Sequence, residues 1–122
     1  MTQSNAASEA ASAGGSRPRA WARPDEVDPE SHVARQLALI DALISGSLPG
    51  PDFARSWLAE RRQSMDAGER LREPFERAFD QVFYAIEDYV IDPALREPGD
   101  MTDDEFVKRV GAANRSVEQL NR

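Results

Sequence analysis

Residues 75–105 read FERAFDQVFYAIEDYVIDPALREPGDMTDDE. Phe75, Phe79, Val82, Phe83, Ile86, Tyr89 and Val90 follow one another at spacings of 4, 3, 1, 3, 3 and 1, which gather them on one wide face of a helix turned toward a core. The second half is polar and bends. Glu87, Asp88 and Asp92 fall within six residues, Pro93, Pro98 and Gly99 stop the helix, and Asp100, Asp103, Asp104 and Glu105 lead into the next. From Glu73 to Glu105 there are eleven acidic residues against two basic ones, Arg77 and Arg96, a local net charge of −9. The whole chain carries −7, so everything outside this stretch sums to +2. Acid concentrated in this way bears on partners and association rates rather than on fold, and it points to something basic.

Upstream of this stretch the chain reads as two further helices. The first starts near Asp28 or Ser31, with Val33, Leu37, Ile40 and Ile44 on its inner face and Leu39 and Leu43 widening it; Gly46, Pro49 and Gly50 end it. Pro51 and Asp52 open the second, whose apolar positions are Phe53, Trp57, Leu58 and Met65, before Asp66-Ala67-Gly68 closes it. Trp57 lies one turn after Phe53 and is expected as a core anchor, while Arg61 and Arg62 are expected as solvated partners of nearby acids. Pro74 suits the first turn of the third helix. Downstream, Thr102-Asp103-Asp104-Glu105 is a capping box, and Phe106, Val110, Ala113, Val117 and Leu120 form the seam of a fourth helix.

The fold expected is therefore all-α, an antiparallel four-helix bundle spanning residues 31–122, with no strand pattern in competition. Residues 1–30 are rich in Ala, Ser, Gly and Pro and are expected to form a disordered tail, because they bury too little apolar area to offset chain entropy. Trp21 is the one large aromatic there, and the simpler expectation leaves it undocked.

Composition narrows the function. The chain of 122 residues has no cysteine, no apolar run long enough to span a bilayer and no apolar core of a secretory signal near its start. A cytoplasmic location is the expectation, with no membrane partner. One lysine and a net charge of −7 argue against direct binding of nucleic acid. No catalytic residues, metal or cofactor are expected: there is no glycine-rich phosphate loop, and His32 stands alone at a helix start, without a cysteine, histidine or carboxylate at ligand spacing. The acids do not follow a calcium-loop pattern, and Asp103, Asp104 and Glu105 are also what a helix N-terminus favours. They bunch at one end of the expected bundle, with Tyr84 and Tyr89 on the same helix as aromatic elements of an interface.

The segments Asp52-Phe53-Ala54 through Glu60-Arg61-Arg62, then Phe79-Asp80-Gln81-Val82-Phe83-Tyr84-Ala85-Ile86-Glu87-Asp88-Tyr89 and Asp92-Pro93, give the chain a resemblance to the colicin D immunity-like proteins. The likeness covers about residues 33–120, with a longer tail and a longer Pro93–Met101 loop than the family pattern. It implies a helical inhibitor, not an enzyme, that protects a bacterium by binding a transfer-RNA-cleaving toxin domain. Its carboxylates would mimic RNA phosphates in the toxin's basic cleft. Glu87 matches the glutamate facing the toxin's catalytic residues, Asp92 matches an acid in the following turn, and Asp88 adds charge beside them. With Asp103 and Asp104 these make the candidate toxin-binding set, for a monomer forming a one-to-one complex with a basic nuclease domain. A different reading is a regulatory or adaptor helical bundle that binds a partner helix through an apolar groove, motivated by Leu39 and Leu43 lying off the main stripe.

Overall fold

In the computed structural model, which describes residues 19–121, the chain is mostly helical. The four helices are α1 (His32–Ile44), α2 (Gly50–Asp66), α3 (Phe75–Glu87) and α4 (Asp103–Gln119). Two three-residue strands, β1 (Arg19–Trp21) and β2 (Glu69–Leu71), and 3-10 turns at Pro24–Glu26 and Pro93–Leu95 complete the described elements. α1 packs chiefly on α2 and α3 on α4, while α1 also meets α4.

Each helix is built on the pattern expected of it, with shifts that have physical causes. On α3, Phe75, Ala78, Phe79, Val82, Ala85 and Ile86 are buried, and Tyr89 just beyond it is buried as well. On α4 the seam Phe106, Val110, Ala113 and Val117 is buried behind the capping box at Thr102. α1 is rotated relative to expectation: Val33, Gln36, Ile40 and Leu43 face inward, and Ile44 is 42% exposed. Leu43 is buried and Leu39 is half-buried against the core, so the apolar surplus that suggested a groove is absorbed by the fold. On α2, Ser64 is buried where Met65 was expected, and Met65 is 59% exposed. Arg61 stacks its guanidinium over Phe83 at 4.2 Å and pairs with no acid among the described residues, which covers a half-buried ring.

Aromatic side chains run through the core in one row. Phe75, Phe79, Trp57, Phe53, Phe106 and Tyr89 succeed one another with ring centroids 5.2, 5.4, 6.5, 5.9 and 4.0 Å apart. Such pairs each add about 1 kcal/mol beyond simple burial. The row joins the start of α3 to the turn beyond its end.

The boundary expected at residue 30 needs correction. β1 pairs in parallel with β2, Arg19 opposite Glu69 and Trp21 opposite Leu71, and Trp21 is a buried member of the core. Arg72 donates its backbone N–H to the Trp21 carbonyl at 2.8 Å, and the Asp25 N–H reaches the Asn121 side chain at 3.0 Å. Three-residue strands leave no alternation to read, and their partners lie some fifty residues apart, so neither element announces itself locally. The expected disorder of residues 1–18 lies outside the described residues.

β2 also supplies a cap that local sequence hides. Ser31 caps α1 by accepting the Ala34 N–H at 3.0 Å, which leaves the N–H groups of His32 and Val33 free. The buried Glu69 carboxylate takes both, at 3.1 and 3.0 Å, and accepts the Ser64 hydroxyl at 2.9 Å. A carboxylate at a helix N-terminus is favoured by the helix dipole as well as by these hydrogen bonds.

Candidate functional site

The acidic residues collect where α3 ends and α4 begins, and one buried hub holds the two ends together. Tyr89, just past α3, lays its ring flat on Phe106 of α4, centroids 4.0 Å apart and planes within 6°. Its hydroxyl donates to Asp103 Oδ1 at 2.6 Å and accepts from Arg96 Nη2 at 2.7 Å. Arg96 also lies 3.0 Å from Asp103 Oδ1, donates Nε to the Val90 carbonyl at 2.9 Å and places its guanidinium 4.8 Å from the Tyr89 ring centre. One arginine thus closes the turn onto both helices.

These contacts set the ionisation of the group. Burial, reinforced by the Asp103 carboxylate, pushes the Tyr89 hydroxyl up to about 12. The hydrogen bond from Tyr89, with Arg96 alongside, holds Asp103 below the usual carboxylate range. At the neighbouring cap, Glu105 is lowered chiefly by the Thr102 backbone N–H, which it accepts at 2.8 Å, while Thr102 Oγ1 accepts the Glu105 N–H at 3.1 Å.

Gly50, the first residue of α2, rests against this hub. A Cβ there would collide with the Tyr89 hydroxyl and come within 3.6 Å of Asp103 Oδ1. Glycine is what lets a third helix close on the site.

The five candidate acids are all at this end but do different work. Asp103 belongs to the hub, although its side chain stays 60% exposed. Asp88, the C-cap of α3, pairs with Arg109 of α4 at 2.8 Å. Asp92 is exposed and accepts the Ala94 N–H at 3.0 Å, capping the 3-10 turn. Glu87 and Asp104 are exposed and, among the described residues, make no side-chain hydrogen bond or ion pair. A shallow groove beside them is lined by Asp88, Asp100, Glu105, Lys108 and Arg109, so the negative surface has a mixed border. Tyr84 is 52% exposed, whereas Tyr89 is spent on the hub.

The hub and the surroundings of His32 are among the features not read from sequence. The hub needed Arg96 to be seen as a partner, and its position as the one basic residue between Val90 and Met101 was the available signal. His32 is not isolated: α2 brings Glu60 Oε1 to within 2.7 Å of its Nδ1, a pairing made only by helix packing. Among the described residues no group of three or more His, Cys, Asp or Glu side chains is placed to hold a metal ion, and no helix is long and apolar enough to cross a membrane. Comparison of the chain with models of protein families, with curated proteins and with solved structures gives no match.

Proposed function

We propose that this chain is an immunity protein, not an enzyme, that binds and inhibits a basic, transfer-RNA-cleaving toxin domain of the colicin D type. In this reading the four helices form an antiparallel up-down-up-down bundle, and the monomer acts in the cytoplasm through a one-to-one complex. The observation that carries it is the display of Glu87, Asp92 and Asp104, exposed and without a cation partner among the described residues, around a hub that fixes the ends of α3 and α4. The hub fixes the chain that carries these carboxylates, so binding orders side chains rather than whole segments. They stand in for RNA phosphates in the toxin's cleft and exclude the substrate. Asp88 and Asp103 support the surface by holding it together, and contribute less directly to the partner.

The test begins with capture of binding proteins from the parent cells at low and then raised salt, followed by affinity measurement on the retained nuclease domain. Glu87→Gln combined with Asp92→Asn is expected to weaken binding by about 3 kcal/mol, on the order of a hundredfold, as for charge pairs desolvated in an interface. Association is expected to slow as salt rises. Unchanged affinity in the double variant would remove the mimicry mechanism, and retention of a salt-insensitive helical partner would replace it with an adaptor role.

A further inference from the structure

The turn between α3 and α4 carries an apolar tip that the fold leaves bare. Pro93, Ala94, Leu95 and Pro98 are all exposed, and Leu95, at 69%, is the most exposed large apolar side chain among the described residues. A loose loop would let such a leucine fold back onto the body, but this one is tied on both sides. Asp92 accepts the Ala94 N–H at 3.0 Å through its side chain and the Leu95 N–H at 3.0 Å through its carbonyl. Arg96, the next residue, is locked to Tyr89, Asp103 and the Val90 carbonyl. Downstream, the Glu97 N–H donates to Asp100 Oδ2 at 2.7 Å and the Asp100 N–H to the Glu97 carbonyl at 3.0 Å. Single exposed leucines are ordinary, so the surroundings have to say what would cover this one.

They are acidic. Between Ile91 and Asp100 the acids are Asp92, Glu97 and Asp100, and the one base, Arg96, is turned into the hub. The wider stretch from Glu73 to Glu105 carries −9. Such a surround repels nucleic acid and anionic lipid, and like charge opposes a second copy of the same surface. A basic protein surface fits it, and the leucine asks that surface for an apolar recess, in keeping with interfaces that set an apolar centre inside a charged rim. Resting on the immunity reading for the partner's identity, we propose that Leu95 is the apolar anchor of the toxin-binding surface. It seats in an apolar recess beside the cationic groups that meet Glu87 and Asp92. RNA phosphates supply charge alone, so this contact belongs to the inhibitor and not to the substrate it displaces. The acids speed the partner's arrival, and Leu95 prolongs its stay.

The probe is the basic nuclease domain that the full-length chain retains from the parent cells, and the readouts are its association and dissociation rates at several salt concentrations. Leu95→Ala is expected to speed dissociation about tenfold, while the association rate, its salt dependence and the urea midpoint stay those of the unaltered chain. Leu95→Met should keep most of the residence time, because it fills a similar volume. Glu87→Gln combined with Asp92→Asn is expected to differ in kind, slowing association and flattening its salt dependence. Unchanged dissociation of Leu95→Ala overturns the anchor, even where the acidic variant behaves as mimicry requires. Fast dissociation of Leu95→Ala beside normal binding by the acidic variant supports the anchor and removes the mimicry. Retention of no basic protein overturns both.

Discussion

Tyr89 shows how much one side chain settles here. It stacks on Phe106, donates to Asp103, accepts from Arg96 and presses on Gly50, so its hydroxyl touches three parts of the chain at once. The sign of its linkage to pH follows. Its folded pKa is raised to about 12, above the value of about 10 for an unfolded tyrosine, so the folded state holds a proton that the unfolded chain releases first. That stabilisation is complete below about pH 10 and is lost as pH climbs toward 12. Asp103 has the opposite sense: its lowered pKa stabilises above about pH 4 and is lost on acidification. Urea midpoints of the unaltered chain are therefore expected to fall relative to Tyr89→Phe between about pH 10 and 12, and parallel curves would exclude the coupling. The sequence marked Tyr89 for the apolar stripe by its spacing from Ile86, but its hydroxyl's partners come from fourteen residues ahead and seven ahead, where no periodicity points.

Among the elements, α1 illustrates the difference between local and borrowed structure. Its extent was legible to within about a turn, from Asp28 or Ser31 to the break at Gly46, and the helix runs His32–Ile44 behind its Ser31 cap, because capping and apolar spacing are local properties. Its rotation was not, since Gln36 takes an inward position that a hydrophobic count awards to Ile44. Its cap is half borrowed, with Glu69 arriving from β2 to take the His32 and Val33 N–H groups. Glu69→Ala leaves these and the Ser64 hydroxyl short of an acceptor in a buried place, at an expected cost of about 3 kcal/mol. Hydrogen exchange should show the two amides losing protection before the rest of α1. A loss below about 1 kcal/mol with both amides still protected would mean that the cap is dispensable.

Across the whole molecule, the helices were readable and their lateral ties were not. Four amphipathic stripes and a capping box are periodic signals within one segment, whereas β1, β2 and the pairings His32–Glu60 and Asp88–Arg109 depend on segments meeting in space. Trp21 is where this matters most for stability, since composition alone consigns it to a tail and the fold buries it. Trp21→Ala is expected to cost about 3 kcal/mol in urea unfolding, in the range of large aromatic truncations, and a cost near zero would return residues 19–30 to the tail. The five acids were legible as a cluster, but not their division of labour. Gly50, Tyr89, Arg96 and Asp103 are mutually locked, so a change in any one must be answered by the others, whereas Glu87 and Asp104 make no such contact. On the proposed reading, the exposed acids could be exchanged one substitution at a time to suit a changed partner, while the frame beneath them would have to change as a block.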